Sequence, residues 1–373
     1  MLLLLLFSCA SPTASGPLPQ DAYVWQQVWT PAVQEAAHTH PFRGLVVLGG
    51  TLDWEDGLEL FERPALPPGS ALALRVEAPP ANEDPLPALQ NALAQLALVH
   101  PEAPYLQLDM DLPTSRLGEY AAWMEALNQA GLPPLRITAL PTWLDDPAFE
   151  DLAHAAPHFV MQLHWFDPKH PTYLLDPQAL AHIDDAGQVG VPFSAALPSY
   201  SYSLMFDGSG QRVALNAEQA QTAPIGGYAE QLRADPAAVA QVVASLEQRH
   251  PRDLEALIWF RLPTAQDQNS WSLTTLTSVA AGVTPVAQAE IQVQETGEKL
   301  WQFQLYNTGT ETLEMPQLYW ETEPDLWDAL GSYHQSRAHL SPGAAQTLQP
   351  GESQVVAWAR SFVEPTLSVT DAP

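Results

Sequence analysis

Cysteine is nearly absent: the 373 residues contain one, Cys9. A single Cys excludes an intrachain disulfide framework and a Cys-based zinc site. Basic residues are scarce as well. There are 14 Lys and Arg against 43 Asp and Glu, a formal charge of −29, and only Lys169 and Lys299 are lysines. Nucleic acid and anionic lipid surfaces are bound by clustered Lys and Arg, so neither is expected as a charge partner. The glycine fingerprint of a dinucleotide site is missing too. Gly49-Gly50 stands alone, with no third Gly opening a helix. There is no phosphate loop, no Gly-x-Ser-x-Gly and no Cys nucleophile in the body of the chain, so serine or thiol acyl transfer has no support. The chain does have 46% apolar residues, enough for globular cores, and a length that suggests two domains.

The lone Cys follows a short apolar run, residues 1–7, and Ser8. A spanning helix needs about 20 apolar residues, so this run reads as the hydrophobic part of a secretory signal. Leu6-Phe7-Ser8-Cys9 resembles a bacterial lipoprotein box. The resemblance implies cleavage before Cys9 and lipidation of Cys9, with acyl chains holding the protein on a bilayer at about 0.8 kcal/mol per buried methylene. One departure is the lack of Lys or Arg before the leucines. Residues 10–20 are small, polar or Pro and read as a tether, reaching roughly 35 Å at about 3.3 Å per residue. Ala10 rather than Asp follows the Cys. By resemblance to Gram-negative lipoproteins, this implies a lipid-anchored protein of the cell envelope, on the outer membrane facing the periplasm.

From 21 to 285, short β-rich runs alternate with helical patterns. The strand runs are 23–29, 45–52, 71–77, 105–111, 135–140, 159–165, 192–198 and 257–262. The helical stretches are 31–38, 87–99, 115–130, 147–155, 236–248 and 270–281. Ser115 and Ser270 are expected N-caps, and Asp146-Pro147 and Asp235-Pro236 follow the Asp-cap, Pro-at-N1 pattern. Eight strands over this length fit a (β/α)8 TIM-type barrel, with an open doubly wound sheet as the alternative. Helices in the second and sixth units are hard to see. After Gly282 the alternation stops. Runs 290–294, 300–306, 313–320 and 353–360 alternate like antiparallel strands, with turns at Asn307-Thr308-Gly309 and Gln349-Pro350-Gly351-Glu352. Residues 286–373 are therefore expected to form a small C-terminal β-sandwich, either packing on the barrel or binding a ligand.

Side chains alternate along a strand. In Tyr105-Leu106-Gln107-Leu108-Asp109-Met110-Asp111, the polar set shares one face. The same rule places Arg75, Glu77, Gln107, Asp109, Asp111, Arg136, Gln162, His164 and Arg261 near one barrel axis. Three of the twelve arginines fall in this set, which allows each acid an ionic partner. Two loops expected on the catalytic side, about 165–190 and 199–234, are long enough to suggest function, and Tyr200, Tyr202 and Tyr228 could cover a pocket.

Barrel enzymes carry their chemistry at the C-terminal ends of the strands. Carboxylates beside aromatic platforms suit sugars, because aromatic faces stack on sugar rings and carboxylates act at the anomeric carbon. Asp109 and Asp111 lie about 7 Å apart along one strand face, close enough to push one pKa up. The candidate catalytic residues are Asp109, Asp111, Glu77 and His164. The candidate substrate-binding residues are Trp25, Trp143, Tyr200, Tyr202, Trp259 and Arg261. Asp109, Asp111 and His164 could also hold a metal, but His38/His40 and His164/His170 lack the His-x3-His spacing of carbohydrate deacetylases, and no cofactor is expected.

The Asp109-Met110-Asp111 strand resembles the Asp-x-Asp-x-Glu strand of chitinase-like (family 18) glycoside hydrolases, in which the Glu is the proton donor and an Asp orients the substrate acetamide. Trp259 resembles the sugar-floor Trp of that family. Pro113 stands where the Glu would be, so that mechanism does not carry over. Tyr23-Val24-Trp25-Gln26, Gln107 to Asp111, Thr138 to Leu144, Ala196 to Tyr200 and Trp259 to Pro263 resemble a family of uncharacterised bacterial proteins, the domain of unknown function numbered 3142. That resemblance implies a barrel in a bacterial envelope setting and brings no activity. Two functions follow as expectations. One is a glycosidase-like enzyme acting on a carbohydrate or glycan. The other is a non-catalytic envelope protein that binds glycan or aids assembly, with its acids ion-paired to Arg75, Arg136 or Arg261.

Overall fold

The structure is a computed structural model that describes residues 16–369, apart from 82, 165–172, 217–225, 266, 268, 337–338 and 344–345. Eight parallel strands close into a barrel: β1 (Gln20–Val24), β2 (Gly44–Asp53), β3 (Ala71–Val76), β4 (Leu106–Met110), β5 (Leu135–Ala139), β6 (Phe159–Gln162), β7 (Phe193–Pro198) and β8 (Leu254–Phe260). Closure comes from β1, which pairs in parallel with both β2 and β8. The open doubly wound alternative is thereby excluded. The helices are α1 (Pro31–Thr39), α2 (Leu86–Val99), α3 (Leu117–Asn128), α4 (Pro147–Ala155), α5 (Ala179–Ala186), α6 (Pro236–Arg249) and α7 (Leu273–Ala280).

Strand alternation creates two apolar layers. Outward side chains such as Leu72, Leu74, Leu106, Leu108, Ile137 and Trp259 join the helices in the main core. Each fully buried Leu there contributes about 1.5–3 kcal/mol. Inward side chains form a smaller cluster with Ala71, Ala73, Val160, Ala196 and Ile258. Its small residues leave room at the barrel mouth for larger polar side chains.

The second unit has no helix. Residues Gly57–Leu60 fold back as a strand antiparallel to β2. Pro64, Pro67 and Pro68 would interrupt a helix in this connection. The Gly49-Gly50 pair serves packing: a Cβ on Gly49 would meet Leu96 Cδ1 at 2.4 Å, and one on Gly50 would meet the Glu59 carbonyl oxygen at 2.6 Å. The sixth unit does have a helix, α5, whose eight residues are too few for a clear periodic signal. Within the expected loop 199–234, strands Ser201–Phe206, Arg212–Asn216 and Tyr228–Arg233 form an antiparallel sheet. Asp207 organises its first turn by accepting hydrogen bonds from the amides of Ser209 and Gln211.

Asp146 and Asp235 cap α4 and α6 as expected. Ser115 does not cap. It lies in a 3-10 turn, Thr114–Arg116, ahead of α3. Ser272, rather than Ser270, caps α7 by accepting from the Thr275 amide at 3.0 Å, while the Ser270 hydroxyl donates to the Ser199 carbonyl.

The C-terminal region is antiparallel. One sheet comprises Ala289–Gly297, Leu300–Asn307, Ser353–Arg360 and Leu326–Ala329; the other comprises Tyr333–Ser336, His339–Pro342, Leu318–Trp320 and Leu367–Val369. Phe303, Leu305 and Val356 from the first meet Leu318, Trp320 and Leu340 from the second in one core, which makes a sandwich. Both expected turns form. The Gly309 amide donates to Asn307 Oδ1, and the Glu352 amide donates to the Gln349 carbonyl beside Gly351 at φ 82°. Arg233 of the barrel insertion pairs with Glu311 at 2.9 Å.

Candidate active site

The inward face of β4 carries Gln107, Asp109 and, just beyond its end, Asp111. In register, Arg75 on β3 faces Asp109 on one side and Thr51 on the other. Gln107 is buried below them. Its amide donates to Tyr23 Oη at 2.6 Å and to Thr138 Oγ1 at 2.9 Å. Gln107 thereby ties β1, β4 and β5 together within the barrel. Thr138 also opposes the rise in the Asp109 pKa.

Burial raises Asp109 to about 6, the neighbouring Asp111 charge adds to the rise, and Arg75 and Thr138 oppose it. Burial also raises Asp111, opposed by Arg75. More of Asp109 is therefore protonated near neutral pH than of an ordinary Asp. None of the ion pairs among the described residues involves Asp109, Asp111 or Arg75.

Opposite the acids stands an aromatic wall. Phe260 is its hub, with ring centroids 5.4 Å from Trp25, 5.3 Å from Tyr200 and 4.5 Å from His164, which stacks on it. Tyr200 meets Tyr202 edge-on at 5.3 Å, and Tyr23 meets Trp25 edge-on at the same distance. Acids and aromatics together enclose a cleft of about 320 Å³. Burial pushes His164 down to about 3, so it is a neutral ring near pH 7 and not a proton donor by charge. Among the described residues, no group of three His, Cys, Asp or Glu is gathered as for a metal ion.

Asp109, Asp111, His164, Trp25, Tyr200 and Tyr202 thus converge on one cleft, and Arg261 lines an adjoining lobe. Three other sequence candidates lie elsewhere. Glu77 is exposed beyond the end of β3, and its carbonyl accepts from Trp54 Nε1. Trp143 ends a 3-10 turn that carries its ring into the helix layer, where Nε1 donates to the Leu112 carbonyl and the ring packs on Tyr120 and Phe149. Trp259 has the outward parity of β8, donating to Gln20 Oε1 and packing near Trp271. Phe260, one residue on, has the inward parity. Cys9 and Trp165 lie outside the described residues.

The expected cluster of three arginines also separates. Arg136 is at the opposite mouth, its guanidinium 3.7 Å from the Tyr105 ring centroid. Arg261 is paired with Asp267 at 2.7 Å. Only Arg75 remains beside the acids. Sequence reasoning missed Tyr23, Thr138 and Phe260 as cleft residues. The strand alternation that selected Asp109 would have found Tyr23 through Trp25, and Phe260 through Ile258.

These features define a (β/α)8-barrel protein with an acidic, aromatic-walled cleft at the C-terminal mouth of its strands. Residues 91–265 match the family described as a domain of unknown function (DUF3142), the family its strand phrases resemble. No curated protein matches the sequence. Among solved structures, a chitinase from Bacteroides thetaiotaomicron is similar over 66% of this chain and 90% of its own, at 8% identity and a TM-score of 0.45. The catalytic domain of a hyperthermophilic chitinase from Pyrococcus furiosus is similar over 71% and 96%, at 10% identity and a TM-score of 0.41. A putative alpha-galactosidase/melibiase from Bacteroides fragilis is similar over 92% and 79%, at 9% identity and a TM-score of 0.38.

Proposed function

We propose that this protein is a carbohydrate-active hydrolase that holds a glycan in the barrel cleft and uses Asp109 as its proton donor. The supporting observation is the Asp109–Asp111 pair, which faces an open aromatic-walled cleft and has no ion-pair partner among the described residues. Trp25, Tyr200, Tyr202 and Phe260 offer flat apolar faces to sugar rings. Asp109, kept partly protonated by burial and by Asp111, donates its proton to the bridging oxygen as that oxygen leaves the anomeric carbon. Water supplies the new hydroxyl, and its proton passes to the Asp111 carboxylate. Thr138, which accepts from Gln107, lines the cleft with Asp109. Because Pro113 replaces the family 18 Glu, the donor on this strand has to come from the Asp pair.

The test is hydrolysis of a broad glycan panel by wild type, Asp109→Asn and Asp111→Asn. Wild type should release reducing ends, and Asp109→Asn should lose about 10²–10⁴ of that rate while still binding. A wild type that binds glycans and cleaves none would refute hydrolysis and leave a glycan-binding protein. We further propose that lipid on Cys9 anchors the chain in the bacterial envelope, at the outer membrane facing the periplasm, on the strength of the Leu6-Phe7-Ser8-Cys9 box. Cys9→Ser should shift the protein from the membrane to the soluble fraction, and unchanged fractionation would sink the anchor.

A further inference from the structure

The cleft continues past Arg75 into a second lobe of about 260 Å³. The two spaces share Arg75, Trp25, Tyr200, Tyr202 and Phe260, but only the first has carboxylates among its described lining residues. The first carries Asp109 and Asp111. The second is lined by Arg75 and Arg261, with Thr51 and Gln27, and by no carboxylate among the described residues. Arg75 on β3 stands where the two meet, with Asp109 and Asp111 of β4 on one side and Thr51, Gln27 and Arg261 on the other.

The two arginines are not equivalent. Arg261 is held by a buried ion pair with Asp267, both side chains 4% exposed, so its charge is matched within the protein. Arg75 is exposed and joins none of the ion pairs among the described residues. Asp109 and Asp111 act on Arg75 through space from the first cleft, while on the side of the second lobe no described carboxylate lines the space beside it. An anionic ligand group would complete that side.

We propose that the basic lobe is a subsite for a carboxylate-bearing sugar, so that the substrate is an acidic glycan with a uronate-type residue against Arg75 and the bond to be broken at Asp109. This inference rests on the carbohydrate reading above and narrows it to a substrate class. The planar fork of Arg75 matches a planar carboxylate through two parallel N–H···O bonds, which Lys would not reproduce. Thr51 and Gln27 add neutral partners for ring hydroxyls, and the aromatic faces shared with the acidic half carry the sugar chain across the boundary. The overall charge of −29 opposes any anionic ligand at a distance, so selectivity for the carboxylate has to arise at short range from the lobe itself.

The experiment is a glycan array carrying uronate oligosaccharides (oligogalacturonate, glucuronate-containing and mannuronate oligomers), each beside its carboxyl-reduced neutral form and a sulfated neutral oligomer. Wild type should bind at least one uronate oligomer about tenfold or more tighter than its reduced form. Arg75→Gln should erase that difference while keeping the affinity for the reduced form and the same Tm, and Arg75→Lys should recover only part of it. Equal binding of each uronate and its reduced twin overturns the inference and leaves the carbohydrate reading intact. Binding of the sulfated oligomer alone overturns the carboxylate assignment, as does an Arg75→Gln variant that weakens uronate and neutral forms equally. Failure to bind any glycan overturns both readings.

Discussion

The two mouths of the barrel carry similar side chains in opposite conditions. At the N-terminal mouth, Asp21 pairs with Arg43, Arg136 lies on the Tyr105 ring, and His158 is hydrogen-bonded to Ser194 at 2.9 Å and lies 3.4 Å from Glu255. At the C-terminal mouth, Asp109, Asp111 and Arg75 join none of the ion pairs among the described residues. Charges satisfied within the protein stabilise it. Charges left open to a cleft are available to a ligand. The comparison therefore separates a stabilising end from a reactive end using polar residues of the same types, and it agrees with the general use of the C-terminal face in such barrels.

The sharpest way to break that contrast is to exchange an acid for its amide at each mouth. Asp109→Asn should cost about 10²–10⁴ in glycan hydrolysis. Asp21→Asn should leave hydrolysis by the folded protein unchanged and lower stability by about 1–3 kcal/mol, because the buried partner of Arg43 is lost. Equal activity losses in the two variants would dissolve the distinction. A second contrast uses neighbouring aromatics of opposite parity. Trp259→Ala should cost about 3–5 kcal/mol in urea unfolding, since its ring is fully buried. Trp25→Ala, on the cleft wall, should mainly weaken glycan binding, read by titration.

The smallest effect concerns pH. The Asp109 carboxyl rises from 3.8 to about 6 on folding, so between those values the native state holds more of its proton than the unfolded chain does. This group's contribution to stability is full below about 3.8 and falls as pH rises through about 6. Asp109→Asn should accordingly raise Tm above pH 6 and lose that advantage near pH 4, in thermal scans across the range. A stabilising substitution that abolishes activity would mark the reactive mouth. A Tm penalty at neutral pH would instead assign Asp109 a structural role. Hydrolysis should decline as pH rises through about 6, as the donor loses its proton.

Much of this was legible locally. Eight β-rich runs and the Asp-Pro helix starts are short-range signals, and the alternation of Asp109, Met110 and Asp111 fixed which side chains face inward. The errors were errors of parity and of height. Trp259 and Phe260 differ by one position, and only their pairing with neighbouring strands shows which ring enters the barrel. Arg75 and Arg136 both face inward, but strand stagger puts them at opposite mouths, so one stands beside the acids and the other on Tyr105. Trp143 followed the right strand end, yet a 3-10 turn carried it into the helix layer.

By itself, the sequence determined the barrel, the β-rich C-terminal region, the scarcity of cations and the presence of two acids on one strand face. These depend on composition and on periods of two and 3.6 residues, which are properties of neighbouring positions along the chain. The tertiary structure decided which charges found partners. It left Arg75 beside Asp109 and Asp111, gave Arg261 to Asp267, and built the aromatic wall from residues more than two hundred positions apart. Burial and ion pairing depend on distances across the closed barrel, and those distances exist only once β1 has paired with β8.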